Sequence, residues 1–245
     1  MCNGENKMPV KFELKFKPGY DSEGRRIPVE LAVEEAKPEI IIPKNHVITL
    51  DEIAADNGSY KTQEEWIEYW NGKLFASMEN LYAAFGQIQQ SPEQYRTLLV
   101  SLRDAFDKRW VVTSTRIKYQ AGSNHAEIIH HYGSNGHEQN VNLDIPVYRG
   151  TKINDVLNSE GGMAYLKALF GTEQDKKDIS DTLKFISKKK KDEIFVWTPD
   201  LDDRVSVPDR AALLGYGIDG FLVDGSNSYN DGRSFGVRYA SDSER

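Results

Sequence analysis

The chain has 245 residues, with 31 Lys plus Arg against 38 Asp plus Glu and a formal net charge of −7. Its 39% apolar and 28% charged residues exclude a collagen-like, mucin-like or wholly disordered chain. The longest apolar runs, such as Ile194 to Trp197, fall far short of the ~20 residues of a membrane-spanning helix.

No membrane is therefore expected as partner, and the acidic balance, which speaks against a broad phosphate-binding face, makes nucleic acid an unexpected one too. The basic run Lys188 to Lys191 is followed at once by Asp192 and Glu193 and reads as a solvated helix end. The single cysteine, Cys2, leaves no disulfide and no paired-cysteine metal site, which suits a cytoplasmic setting. Met1 to Lys7 has no apolar run of the kind a secretory signal carries. Patterned sequence begins just after Met8, an alternative start. Residues 1–7 and 241–245 are expected to be flexible ends of one globular domain over 8–240, subdivided, if at all, into 8–107 and 108–240.

Residues 9–17 alternate, with Val10, Phe12, Leu14 and Phe16 on one face and charged residues on the other, which predicts a half-exposed strand. Val29 to Val33 and Glu39 to Ile42 are further strand candidates, and 49–57 a short helix. Thr62-Gln63-Glu64-Glu65 is a capping box. Behind it Trp66, Trp70, Leu74, Met78, Leu81, Phe85 and Ile88 form one stripe, which predicts a single long helix with Gly72 and Gly86 inside it. Ser91-Pro92 predicts the cap and first position of the next helix, with Tyr95, Leu98, Leu99, Leu102 and Phe106 inward. Together these make a helical hairpin over 62–107. Its stripe is expected to form core, and is also the candidate surface for a protein partner or homo-oligomer.

From Trp110 the period becomes two. Trp110 to Gln120, His125 to Tyr132 and Gln139 to Tyr148 predict a three-stranded meander. Closing the first hairpin at 121–124 places Gln120 opposite His125, Lys118 opposite Glu127, Ile117 opposite Ile128, and Thr115 opposite His130. One face then carries Ser114, Arg116, Lys118, Gln120, His125, Glu127 and His131 and is expected to be wet. The other carries Ile117, Tyr119, Ala126, Ile128 and Tyr132. Beyond the meander come a short helix capped by Thr151, an interruption at Gly161-Gly162, helix from Met163 to Gly171, helix opened by Thr172 to Asp175, a strand at Ile194 to Trp197, a helix over Ser206 to Leu214, and strands at Ile218 to Val223 and Phe235 to Tyr239. The fold class is α+β: a helical hairpin packed on a largely antiparallel β-sheet, with a mixed α/β C-terminal third.

Four of the five histidines fall between 125 and 137. His130 and His131 point to opposite faces of a strand, and His125 and His131 would sit roughly 20 Å apart, so no metal site and no cofactor are predicted. His130 alone falls on the apolar face. Burial there favours a neutral imidazole with Thr115 as one partner and a second from outside the hairpin. It is either a satisfied core histidine or a general base, with Asp144 as candidate orienter.

Asp200, Asp202 and Asp203 cluster after a strand end, and Asp202 is the candidate acid. The loop from Asp224 through Asn227 to Arg233 is a candidate ligand loop, with Arg233 and Arg238 as an anion clamp. Two functions fit: a non-catalytic intracellular binding or protein-interaction protein, or a hydrolase or transferase acting on an anionic substrate through His130 and the 200–203 acids.

Overall fold

The computed structural model describes residues 60–239, apart from 109, 135, 188–192, 219 and 228–231, together with four short strands before them. Contacts divide the chain into two units, 1–38 and 39–245. In the first unit β1 (Phe12–Leu14) pairs antiparallel with β2 (Val33–Glu35). The helix expected over 49–57 lies outside the described residues.

The second unit holds β3 (Ile40–Ile42) and β4 (His46–Ile48), then helices α1 (Gln63–Trp70), α2 (Met78–Gln90) and α3 (Arg96–Lys108). Strands β5 (Trp110–Tyr119), β6 (His125–His130), β7 (Gln139–Asp144) and β8 (Arg149–Lys152) follow. Next come α4 (Ile153–Asn158), α5 (Glu160–Phe170), α6 (Lys176–Ile186), β9 (Ile194–Trp197) and α7 (Leu201–Ser206). The chain closes with β10 (Asp209–Tyr216), β11 (Phe221–Asn227), β12 (Gly232–Arg233) and β13 (Arg238–Tyr239). The main sheet runs β7-β6-β5-β10-β11-β9-β8, with β12 beside β5. Its pairs are antiparallel except β9–β11 and β5–β12. A smaller sheet has the order β13-β4-β3. The fold is α+β.

The hairpin register follows the sequence reading. Arg116, Ile117, Lys118 and Tyr119 pair with Ile129, Ile128, Glu127 and Ala126, and the Gln120 amide donates to the His125 carbonyl. The capping box also forms: the Glu65 amide donates to Thr62 Oγ1, and the Thr62 amide donates to Glu65 Oε2.

The expected long helix is two helices. Asn71 and Gly72 adopt left-handed backbone, with φ of 47° and 79°, and end α1. The chain then runs extended, because the Ala76 carbonyl takes the Ser114 amide and the Ala76 amide donates to Phe235. Ser77 caps a fresh helix. Ser91 closes α2 instead of opening α3, which begins at Arg96. Thr151 belongs to β8, and Ser159 caps α5, so Gly161-Gly162 sits in a helical first turn instead of interrupting. The expected helix over Ser206 to Leu214 is strand β10, while Asp200 caps a helix upstream of it.

The stripe from Trp66 to Phe106 is spent inside the molecule. Trp66, Met78, Phe85, Ile88 and Leu98 have no exposed surface, the core role that the spacing predicts, while Trp70 is half-buried. Among the described residues no helix is long and apolar enough to cross a membrane.

Candidate functional site

His130 is buried where the register puts it. Thr115 Oγ1 lies 3.0 Å from its Nδ1, and the Ala168 carbonyl, on α5, lies 3.0 Å from its Nε2. The Met78 amide in turn donates to Thr115 Oγ1 at 2.9 Å. A carbonyl can only accept, so Nε2 carries the proton and Nδ1 accepts from the threonine hydroxyl. Both ring nitrogens tie α2, β5 and α5 together.

Asp144 stands at the other end of β6. It pairs in register with His125, and its carboxylate lies 3.3 Å from His125 Nδ1, both groups exposed. Five residues of strand, about 16 Å, separate that position from His130. Asp144 therefore orients His125, not His130. Asp202 is exposed in the first turn of α7, and Asp200 accepts the Asp203 amide as N-cap and pairs with Arg149. The acids form a capped helix start instead of an open turn.

The face expected to be wet is wet only at its distal end. Ser114, Arg116 and His131 are buried: α1 lies over Arg116, and the Ser114 hydroxyl donates to the Phe75 carbonyl in the segment after α1. Arg116 Nε donates to Gln63 Oε1 at 2.7 Å, and its fork reaches Glu64. The Gln63 amide then donates to the carbonyls of Thr113 and Thr115. Tyr132, expected on the apolar face, lies under the Arg116 guanidinium at 4.4 Å. His131 has φ 58°, which turns the chain and sends the next side chain to the opposite side.

Asp224 is buried on β11, with Trp197 as its register neighbour on β9. Its Oδ1 accepts the Ser226 amide at 2.7 Å and the Ser226 hydroxyl at 2.6 Å. Asn227 is buried nearby. Burial raises the Asp224 carboxyl above its ordinary 3.8, against the lowering effect of the Ser226 hydrogen bonds. Arg233 is half-buried on the main sheet, whereas Arg238 belongs to the smaller sheet, its side chain outside the described residues along with 228–231.

A raised carboxyl pKa favours the folded state most when protonated. That contribution is complete below 3.8 and is lost as pH rises through the raised value. Asp224→Asn keeps an acceptor for Ser226 and removes the titration. Its stability relative to wild type should therefore rise across this window, as urea midpoints at stepped pH will show; a constant difference contradicts the assignment.

Sequence reasoning missed the arginines that organise this region. Arg204 has no exposed surface. It donates from Nε to the Pro199 carbonyl and from Nη1 to the Ser123 carbonyl, with its guanidinium 4.5 Å from the Tyr119 ring centroid. Arg210 bridges the Ser226 and Asp203 carbonyls. Burial pushes the phenols of Tyr119 and Tyr165 far up, so both stay neutral beside these cations. An arginine on a short polar helix carries no pattern that marks it as buried.

A cleft of about 230 Å³ lies along α2, with Tyr82, Gln87, Phe170 and Gln174 in its wall. The Tyr82 ring stacks on Phe170 and its hydroxyl donates to Gln174; burial raises that phenol to about 12. None of the sequence-predicted site residues lines it. Among the described residues no cluster of three or more His, Cys, Asp or Glu could hold a metal ion. No known protein family, curated protein or solved structure matches the chain.

Proposed function

We propose that the chain is a non-catalytic binding protein whose protein partner docks at α7 and the adjoining end of β9. The observation that carries this is the placement of exposed apolar side chains. Of nine large exposed hydrophobics among the described residues, Val147, Trp197, Leu201 and Val205 fall in this one neighbourhood. Leu201 and Val205 are one helical turn apart and share a face, while Arg204 turns inward. Trp197 lies against Gly150, where an added Cβ would meet the indole at 3.0 Å, so the ring rests on bare backbone. The Arg149–Asp200 ion pair stands beside it. An aromatic and aliphatic centre with an arginine at its border is the composition of a protein interface.

Catalysis has less support. His130 has both nitrogens engaged, Asp144 serves another histidine, and Asp202 faces solvent. A cytoplasmic place of action fits the one cysteine in the sequence.

The test is cross-linking mass spectrometry in native cell extract, comparing wild type with Leu201→Glu/Val205→Glu. A partner cross-linked near Trp197 in wild type should be lost in the variant, with the melting temperature held. The same cross-links in both proteins overturn the reading.

A further inference from the structure

We infer that β7 is the seam of a two-fold symmetric dimer in which the main sheet continues into a second copy of the chain. The two edges of the sheet are built differently. β8 is four residues long, with a register shift at Gly150, whose φ is 63°. Such an edge is blunted against strand addition. β7 is six residues long and pairs with β6 without any shift, from Gln139 against His130 to Asp144 against His125. It contains no proline, lysine or glycine. Asn140, Val141, Asn142 and Asp144 are exposed, and no described strand pairs with the outer side. A regular strand without these protections is a template for another strand.

Hydrogen bonding fixes which groups are offered. The Ile145 amide donates to the Asn124 carbonyl, and the Gln120 amide to that of His125. By the alternation of antiparallel ladders, residues 139, 141, 143 and 145 bond to β6. Asn140, Asn142 and Asp144 then direct N–H and C=O groups outward.

Side chains choose the occupant and the register. Antiparallel pairing about Asn142 sets Asn142 opposite its own copy and Asn140 opposite Asp144 of the partner subunit, with about six main-chain hydrogen bonds. On the same face as Ile128, Val141 meets the partner's Leu143. Val141 is 39% exposed and Leu143 half-buried, so the pairing covers apolar surface that the single chain leaves in water. Pairing about Val141 instead would set Asp144 against the partner's Glu138, a like-charge pair that disfavours that register. A slip by one residue would turn every side chain to the wrong face. The strand is thus complementary to itself in the register centred on Asn142.

Light scattering coupled to size exclusion, and hydrogen exchange, on the full chain test this. Wild type should have twice the mass of the chain at high concentration. The amides of Asn140, Asn142 and Asp144 should gain protection as concentration rises. Asn142→Pro removes an outward amide and no bond to β6; Val141→Lys puts charge into the seam. Each should yield a monomer with its fold retained. A wild-type monomer at every concentration, or a dimer persisting in either folded variant, overturns the inference.

Discussion

Arg204→Ala should lower stability by roughly 3–5 kcal/mol, the range of a large buried truncation that also strands hydrogen-bonding groups. The side chain has no exposed surface, and its fork gathers acceptors from three separate stretches. These are the Pro199 carbonyl at the start of α7, the Ser123 carbonyl and Asn124 Oδ1 in the β5–β6 turn, and the Pro146 carbonyl in the β7–β8 connection. It also covers the Tyr119 ring. Removing it leaves four acceptors without this donor and a void against an aromatic face. Burial lowers the Arg204 pKa, so holding the charge already costs free energy that the hydrogen bonds offset. Arg204→Lys keeps the charge but replaces a planar fork by one ammonium, which cannot span acceptors on three segments. The lysine variant should therefore lose most of what alanine loses. Chemical denaturation reads both; a lysine variant as stable as wild type would mean that charge, not the fork, holds these loops.

What could be read from the sequence was local. A short polar turn and two alternating strands are enough to set a hairpin register, and Thr115 meets His130 as the alternation requires. The capping box at Thr62 is likewise written within four residues. Errors began where distant segments decide. Ser114 and Arg116 look like a solvent face until the Phe75–Ala76 segment covers the first and α1 the second. The stripe from Trp66 to Ile88 satisfies helical spacing throughout, yet the backbone at Ala76 is claimed by Ser114 and Phe235. Ala211, Ala212, Leu213 and Leu214 favour helix by intrinsic preference. They form strand because β5 and β11 flank them, and tertiary pairing overrides propensity. For the candidate site, residue types were legible but their convergence was not. His130 and Asp144 lie on adjacent strands, and only the register shows that they stand at opposite ends.

His130→Leu should cost about 2–3 kcal/mol, because it fills the space but leaves a buried donor, the Thr115 hydroxyl, and an acceptor, the Ala168 carbonyl, without the ring nitrogens they bond. The chain of bonds is directional. The Met78 amide donates to the Thr115 oxygen, the Thr115 hydroxyl donates to Nδ1, and Nε2–H donates to the Ala168 carbonyl. This order holds only for the neutral ring with its proton on Nε2. A proton on Nδ1 would face the hydroxyl hydrogen and force Thr115 to turn its donor elsewhere, inside a packed junction of α2, β5 and α5. His130→Gln can still donate an amide hydrogen toward Ala168 and should be milder than leucine. Nitrogen chemical shifts of the imidazole report the tautomer directly. The expected pattern is a protonated Nε2 and a bare Nδ1. The opposite tautomer, or leucine and glutamine variants of equal stability, would show that the imidazole is held by packing and not by these two bonds.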